Sequence, residues 1–324
     1  MKRVVAVFLG VVLVLVMVVS FFAQSVQWDE LETLFGPIPK PSKTYKIGCV
    51  EKTLINEHWQ EMKKGYEDAA KRLGVVVEVA AVQSEQELVR QLDLAESMLQ
   101  KDFDALCVSP LTSSNMVPAL KKAVERGIPV INVDDSRVTE IPVTCFVGAD
   151  HKLMGVYAAE YFGEHINGKV ALIEGMPGSP ASQQRVEGFT ETIKKYPNLE
   201  LVSTQPGNWD RMQAMNAAEN ILQVHPDLKA FYACNDTMAL GVAEAVINAG
   251  KEGQIMVIGT DGVPDAITSI REGKMTGTIA AFPYRMGEIA IEVALRILEG
   301  QKVPPVVISP MVLITKDNVD EYFK

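Results

Sequence analysis

Ten residues carry side chains suited to ligand chemistry: Lys52, Asn56, His58, Trp59, Asp134, Asp135, Arg185, Trp209, Asn235 and Asp261. They cluster just after short apolar runs. Carboxylates accept hydrogen bonds from hydroxyls, asparagine both donates and accepts, and arginine donates in a fixed fork. Indole faces cover the apolar C–H face of a ring. Together these groups suit a polyhydroxylated, neutral ligand.

The elements that must position them alternate between strand and helix. Residues 45–50, 75–82, 105–108 and 129–133 read as strands. Helical spacing separates them: Trp59, Met62, Tyr66, Ala69, Ala70 and Leu73 recur on one face, and helices are expected over 85–100 and 116–126. The alternation resumes with strands over 170–174, 199–203, 230–234 and 254–259. Strands separated by helices imply parallel sheets covered on both faces, an α/β fold. The four cysteines, Cys49, Cys107, Cys145 and Cys234, lie in or beside these apolar runs and read as buried strand residues.

A weak repeat divides the chain. Val130–Asp135 resembles Val257–Gly262, and the strands before them end at Cys107 and Cys234. Both pairs are 127 positions apart, which favours two lobes on one plan. Each lobe then carries an aspartate, Asp134 or Asp261, just past the carboxyl end of a strand. Open α/β sheets bind ligands in that crevice.

Composition and motifs exclude other classes. Lys and Arg number 31 against 41 Asp and Glu, a net charge of -10, so no basic excess exists to neutralise a nucleic acid. The cysteines form no CxxC pair and the histidines, His58, His151, His165 and His225, no HExxH, so neither a metal nor a cofactor is expected. Gly175–Ser179 lacks the Gly-Lys-Ser/Thr of a phosphate loop, and neither GxGxxG at a helix start nor GxSxG occurs. At the N-terminus Lys2 and Arg3 precede an apolar run, Val4 to Val19, and small residues lead to Ser25. Residues 1–25 read as a secretory signal peptide, and 26–44, with Pro37, Pro39 and Pro41, as an extended leader.

Asn235–Gly241 (NDTMALG) in register with Gly259–Gly262, together with Asn208–Arg211 and Pro129–Asp134, resembles the sugar-binding periplasmic proteins of the ribose-binding type. The resemblance covers Tyr45 to about Thr315. It implies two similar doubly wound parallel-sheet lobes joined by a three-strand hinge. One lobe would comprise 45–149 plus 281–309, the other 150–280 plus 310–324. It implies a soluble, exported receptor, probing as a monomer for one monosaccharide and delivering it to an ABC-type permease.

Carried over by position, the resemblance assigns stacking to Trp59 and Trp209, with His58 beside the first. It assigns hydroxyl contacts to Asn56, Asp134, Arg185, Asn235 and Asp261. Three positions depart from the ribose-binding pattern: Lys52 replaces a small polar residue, Asp135 an arginine and Ala281 a glutamine. A short side chain at 281 leaves room for an extra hydroxyl or hydroxymethyl, so an aldopyranose such as glucose or xylose is expected. Ribose, inositol or a quorum signal are the alternatives in the same fold. A glycoside-processing enzyme built on Asp134 and Asp261 is disfavoured, since these come from opposite lobes. The effector half of a sugar-responsive repressor is disfavoured by the secretion signal. The residues also admit plainer roles: Trp59 as core, Asp134 and Asp261 as turn caps, Arg185 paired with Glu187 or Glu191, and Lys52 in solvent.

Overall fold

The computed structural model describes residues 25–323, so the expected signal peptide lies, but for Ser25, outside the described residues. Among the described residues thirteen strands form two sheets. The first runs β1(Val26–Gln27), β12(Val306–Ile308), β6(Cys145–Gly148), β5(Val130–Asp134), β4(Ala105–Val108), β2(Lys46–Thr53), β3(Val76–Val82). The second runs β13(Val312–Thr315), β11(Gly277–Ala280), β10(Met256–Asp261), β9(Ala230–Ala233), β7(Gly168–Glu174), β8(Leu199–Pro206). Every pairing is parallel except β11 with β13. Central strands such as β4, β6 and β9 are buried along their whole length, which is why they read as continuous apolar runs.

The chain passes between the sheets three times: after β6, after β11, and between β12 and β13. Each of the first two passages delivers a helix to the far lobe. Helix His151–His165 packs on Pro180–Ile193, and helix Pro283–Leu298 packs on Glu57–Leu73. Glycines permit both approaches. A Cβ at Gly65 would lie 2.0 Å from the Tyr284 carbonyl oxygen, and one at Gly155 would lie 2.0 Å from that of Arg185. These two helix pairs hold the backbones of His58, Trp59 and Arg185.

Two expectations need correction. The segment 26–44 is no free leader: Val26 pairs with Val307, Leu31 is buried, and the Arg296 guanidinium donates to the Gly36 carbonyl at 2.8 Å. Trp28 meets Phe282 at 6.1 Å between ring centroids, and Phe282 stacks on Phe323 at 5.8 Å. The helix expected from Glu85 begins at Leu88. Residues 84–87 form a turn instead, with the Glu87 amide donating to the Ser84 carbonyl and the Glu87 carboxylate accepting from the Gln83 amide. The four cysteines are free and buried, three within strands and Cys234 one residue beyond β9. Among the described residues no helix is long and apolar enough to cross a membrane.

Candidate functional site

The carboxyl ends of β2, β5, β7, β9 and β10 converge between the sheets, and the ten residues singled out above line one cavity there, joined by Glu85 and Ala181. Asn56 and Trp209 are half-buried and the other eight are buried. The cavity is small, about 30 Å³, room for one or two waters. Outside it lies a groove of about 740 Å³ between the lobes, and Asn56, Glu85 and Trp209 belong to both. Among the described residues no group of three or more His, Cys, Asp or Glu side chains could hold a metal ion.

Asp134 and Asp261 occupy matching strand ends, and both have positive φ, 76° and 128°. Non-glycine residues adopt such values at an energetic cost, and here both carboxylates reach the same side chain. Asp134 Oδ1 stands 3.4 Å from His58 Nε2, and Asp261 Oδ1 stands 3.5 Å from His58 Nδ1. His58 and Trp59 begin helix Glu57–Leu73, whose N-cap Asn56 accepts from the His58 amide at 3.0 Å. Asn56 also accepts from Thr237 Oγ1 at 3.3 Å, a bond between the lobes.

The first lobe adds a chain of charges. Lys52 Nζ meets Asp135 Oδ2 at 2.5 Å, both buried, and lies 5.3 Å from the centre of the Trp59 ring. Burial by itself lowers the Lys52 ammonium, but Asp135, Glu85 and Asp134 outweigh it and raise the group above its ordinary value. Trp59 Nε1 donates to Glu85 at 3.3 Å, and burial pushes the Glu85 carboxyl upward. Glu51, one residue before Lys52 on β2, is buried and its carboxyl is pushed up to about 8, chiefly by burial, with Tyr66 and His58 opposing.

The second lobe contributes a braced guanidinium. Arg185 donates through Nη1 to the Cys234 carbonyl and through Nε to His151 Nδ1 at 3.2 Å, and its Nη2 lies 3.5 Å from Asp261. Because His151 Nδ1 accepts, its proton sits on Nε2, 3.5 Å from the Asp134 carbonyl oxygen. Burial and then Arg185 lower the His151 imidazole, which keeps it neutral. Trp209, with φ of 61°, lies against Gly175, where a Cβ would come within 2.1 Å of the indole. Asn235 caps helix Asp236–Asn248 by accepting from the Met238 amide at 2.9 Å. Asp236 accepts from the Gly262 and Val263 amides at 2.7 and 3.1 Å, and burial, then Asp261, push its carboxyl up to about 7.

Several plainer readings are thereby sorted. Arg185 is buried in the cavity wall, and Lys152 pairs with Glu187 and Glu191 in its place. Lys52 faces Asp135 rather than solvent. Trp59 serves both roles, joining the core cluster while lining the cavity. Ala281 does not line the cavity; its carbonyl accepts from Ser309 Oγ at 2.8 Å and so links two of the three passages. Sequence reasoning missed Glu85, placed within the helix expected over 85–100, and His151, noted only among the histidines that form no HExxH. An acceptor for the Trp59 indole and a partner for Arg185 could have been sought, but neither residue sits in a recognisable motif.

A family model described as periplasmic binding protein domain matches residues 47–302. The D-allose-binding periplasmic protein of Escherichia coli is 38% identical over 269 residues, 80% of this chain and 86% of the relative. A ribose import binding protein of Bacillus subtilis is 36% identical over 276 residues, 85% of this chain and 88% of the relative. Among solved structures, an ABC transporter periplasmic solute binding protein from Actinobacillus succinogenes with bound D-allose is 34% identical, with a TM-score of 0.81 over 86% of this chain and 100% of that one.

Proposed function

The chain belongs to the periplasmic binding protein domain family, and on that premise we propose that it captures one neutral aldopyranose between its lobes and hands it to an ABC-type permease. It is a sugar receptor and not an enzyme, in keeping with its family and relatives. The observation that carries the ligand class is charge pairing. Three buried cations, Lys52, His58 and Arg185, are each engaged by buried carboxylates, Asp134, Asp135 and Asp261, supplied by both lobes, and the further carboxylate of the cavity wall, Glu85, accepts from the Trp59 indole. A neutral polyol leaves those pairings intact, whereas an acid or an amine would add a charge that must compete for them.

D-allose is the first candidate, because the Escherichia coli relative binds it and the Actinobacillus structure contains it. Ribose, named for the Bacillus relative, is the second reading. Glucose and xylose, expected from the sequence, belong in the same test. Trp59 and Trp209 stack on the ring, while Asn56, Asp134, Asp135, Arg185, Asn235, Asp261 and Lys52 bond its hydroxyls. A cavity of about 30 Å³ cannot admit a sugar without movement, so the lobes part on their three passages and close over it. Contacts from both lobes are made only in the closed form, and this difference drives closure. Removal of residues 1–25 releases the receptor, a monomer, outside the cytoplasm.

A thermal-shift screen of the exported protein, stripped of copurified ligand, tests the reading against allose, ribose, glucose, xylose, galactose and inositol. A bound sugar raises the unfolding midpoint by mass action. Stabilisation by one aldopyranose is expected; silence across the panel would reject the sugar receptor.

A further inference from the structure

We propose that His58 is a proton-dependent clasp between the lobes: as the imidazolium it holds Asp134 and Asp261 together across the closed cleft, so sugar capture takes up a proton and weakens as pH rises. This rests on the sugar-receptor reading above.

The geometry carries it. Asp134 belongs to the first sheet and Asp261 to the second, and the two ring nitrogens of His58 face them at 3.4 and 3.5 Å. A neutral imidazole has one N–H and one lone pair, so one of the two carboxylates would face a lone pair. Only the imidazolium presents a proton to both. Both nitrogens are buried and neither has another hydrogen-bond partner, so the contacts are charge contacts in a poorly solvated place. Among the described residues, no other cationic side chain lies within 4 Å of the Asp134 carboxylate.

The groups facing His58 from each packed element agree with that charge. On β2, Lys52 is engaged by Asp135, while the Glu51 carboxyl is pushed up to about 8 by burial. Glu85 follows β3 and is bonded to Trp59. Arg185, on helix Pro180–Ile193, shares Asp261 with His58 and holds His151 as a neutral acceptor. Burial opposes the charged imidazole, yet Asp261 and Asp134 together raise it well above its ordinary value.

His58 travels with the first lobe, so parting the lobes removes Asp261 and admits water. The imidazole then returns toward an ordinary value of about 6.5. Below that pH both forms are protonated and affinity is level. Above it closure must bind a proton, and affinity falls by up to about tenfold per pH unit until the closed form itself titrates.

Calorimetric titration of the wild-type protein with D-allose, or with whichever sugar of the screen above stabilises it most, between pH 6 and 9 in buffers of different ionisation enthalpy reads both the affinity and the protons taken up. The expected result is uptake approaching one proton per sugar near pH 8 and a matching loss of affinity. His58→Gln should show no uptake and a flat profile. If that variant does not bind, the His58 imidazole ¹⁵N resonance of the wild type, titrated with and without sugar, reads the same proton. A pH-independent affinity without uptake, a slope that persists in His58→Gln, or an imidazole that titrates alike in both states would overturn the clasp alone. Absence of binding at every pH would overturn the receptor reading, and the clasp with it.

Discussion

The two lobes repeat one scaffold yet bring different physics to the cavity. At matching strand ends both place an aspartate with positive φ, Asp134 and Asp261, and both aim it at His58. The next residue separates them. Asp135 adds a second buried carboxylate, which binds Lys52 and accepts from the Ser136 amide. Its counterpart 127 positions on is Gly262, with φ of 81°, where a Cβ would lie 2.7 Å from that of Ala280. No side chain fits there, and the Gly262 amide is held by Asp236, whose own counterpart is Ser109. The first lobe thus adds charge to the cavity, whereas the second adds a rigid turn and one braced guanidinium. The shared fold sets where a carboxylate emerges, and single neighbouring residues set what surrounds it.

The largest expected effect tests the charged lobe. Lys52→Met leaves Asp135 buried without a cation and should cost roughly 3–5 kcal/mol in denaturant unfolding, most of it recovered by adding Asp135→Leu. A small loss would show that the pair is solvated and the contrast overstated. Next come the two indoles. Trp59→Ala should cost about 3 kcal/mol of stability as well as ligand affinity, since Trp59 is part of the core. Trp209→Ala should lose roughly 2 kcal/mol of affinity by calorimetry and little stability. Equal unfolding curves for the two variants would erase that distinction. Asp261→Ala should weaken sugar binding by about 2 kcal/mol, leaving Arg185 and His58 without their shared partner.

A pH slope compares the lobes through one buried carboxyl in each, Glu51 and Asp236. Glu51 and Asp236, pushed up to about 8 and about 7, hold protons in the folded state that the unfolded chain releases above its ordinary carboxylate range. Stability therefore falls as pH rises from about 5 toward 8. Asp134 acts oppositely: burial alone would raise it, but His58 holds it well below the ordinary range, so its contribution is lost only in acid. Thermal melts across pH should show the decline, and Glu51→Gln with Asp236→Asn should flatten it. An unchanged slope in the double variant would assign it elsewhere.

Much of this was legible before any coordinates. Strands buried on both faces leave unbroken apolar runs, and the expected run 105–108 coincides with β4. The 127-residue offset placed Asp134 and Asp261 on matching strand ends, and all ten candidate residues line one cavity. What escaped depends on distance along the chain. Val26 pairs with Val307 through a strand of two residues, too short for any period. Glu85 lies in a polar turn whose function comes from Trp59, 26 positions away. His151 gains its partner only when helix Pro180–Ile193 packs beside it. Glu51 and Asp236 left a fainter sign, an acidic residue inside a strand buried from Ile47 onward or at a helix start, which alternation alone does not distinguish from a solvated one.

The docked N-terminal segment bears on how any reporter of closure should be placed. Trp28, near the start of the described residues, and Phe323, at their end, both meet Phe282, beside the second passage between the lobes. Both rings therefore sit near the pivot, where a rotation of the lobes produces the least displacement. A fluorophore attached at either position would register little, whereas labels at Ile55 and Gln213, on facing walls of the groove, have the full lever arm.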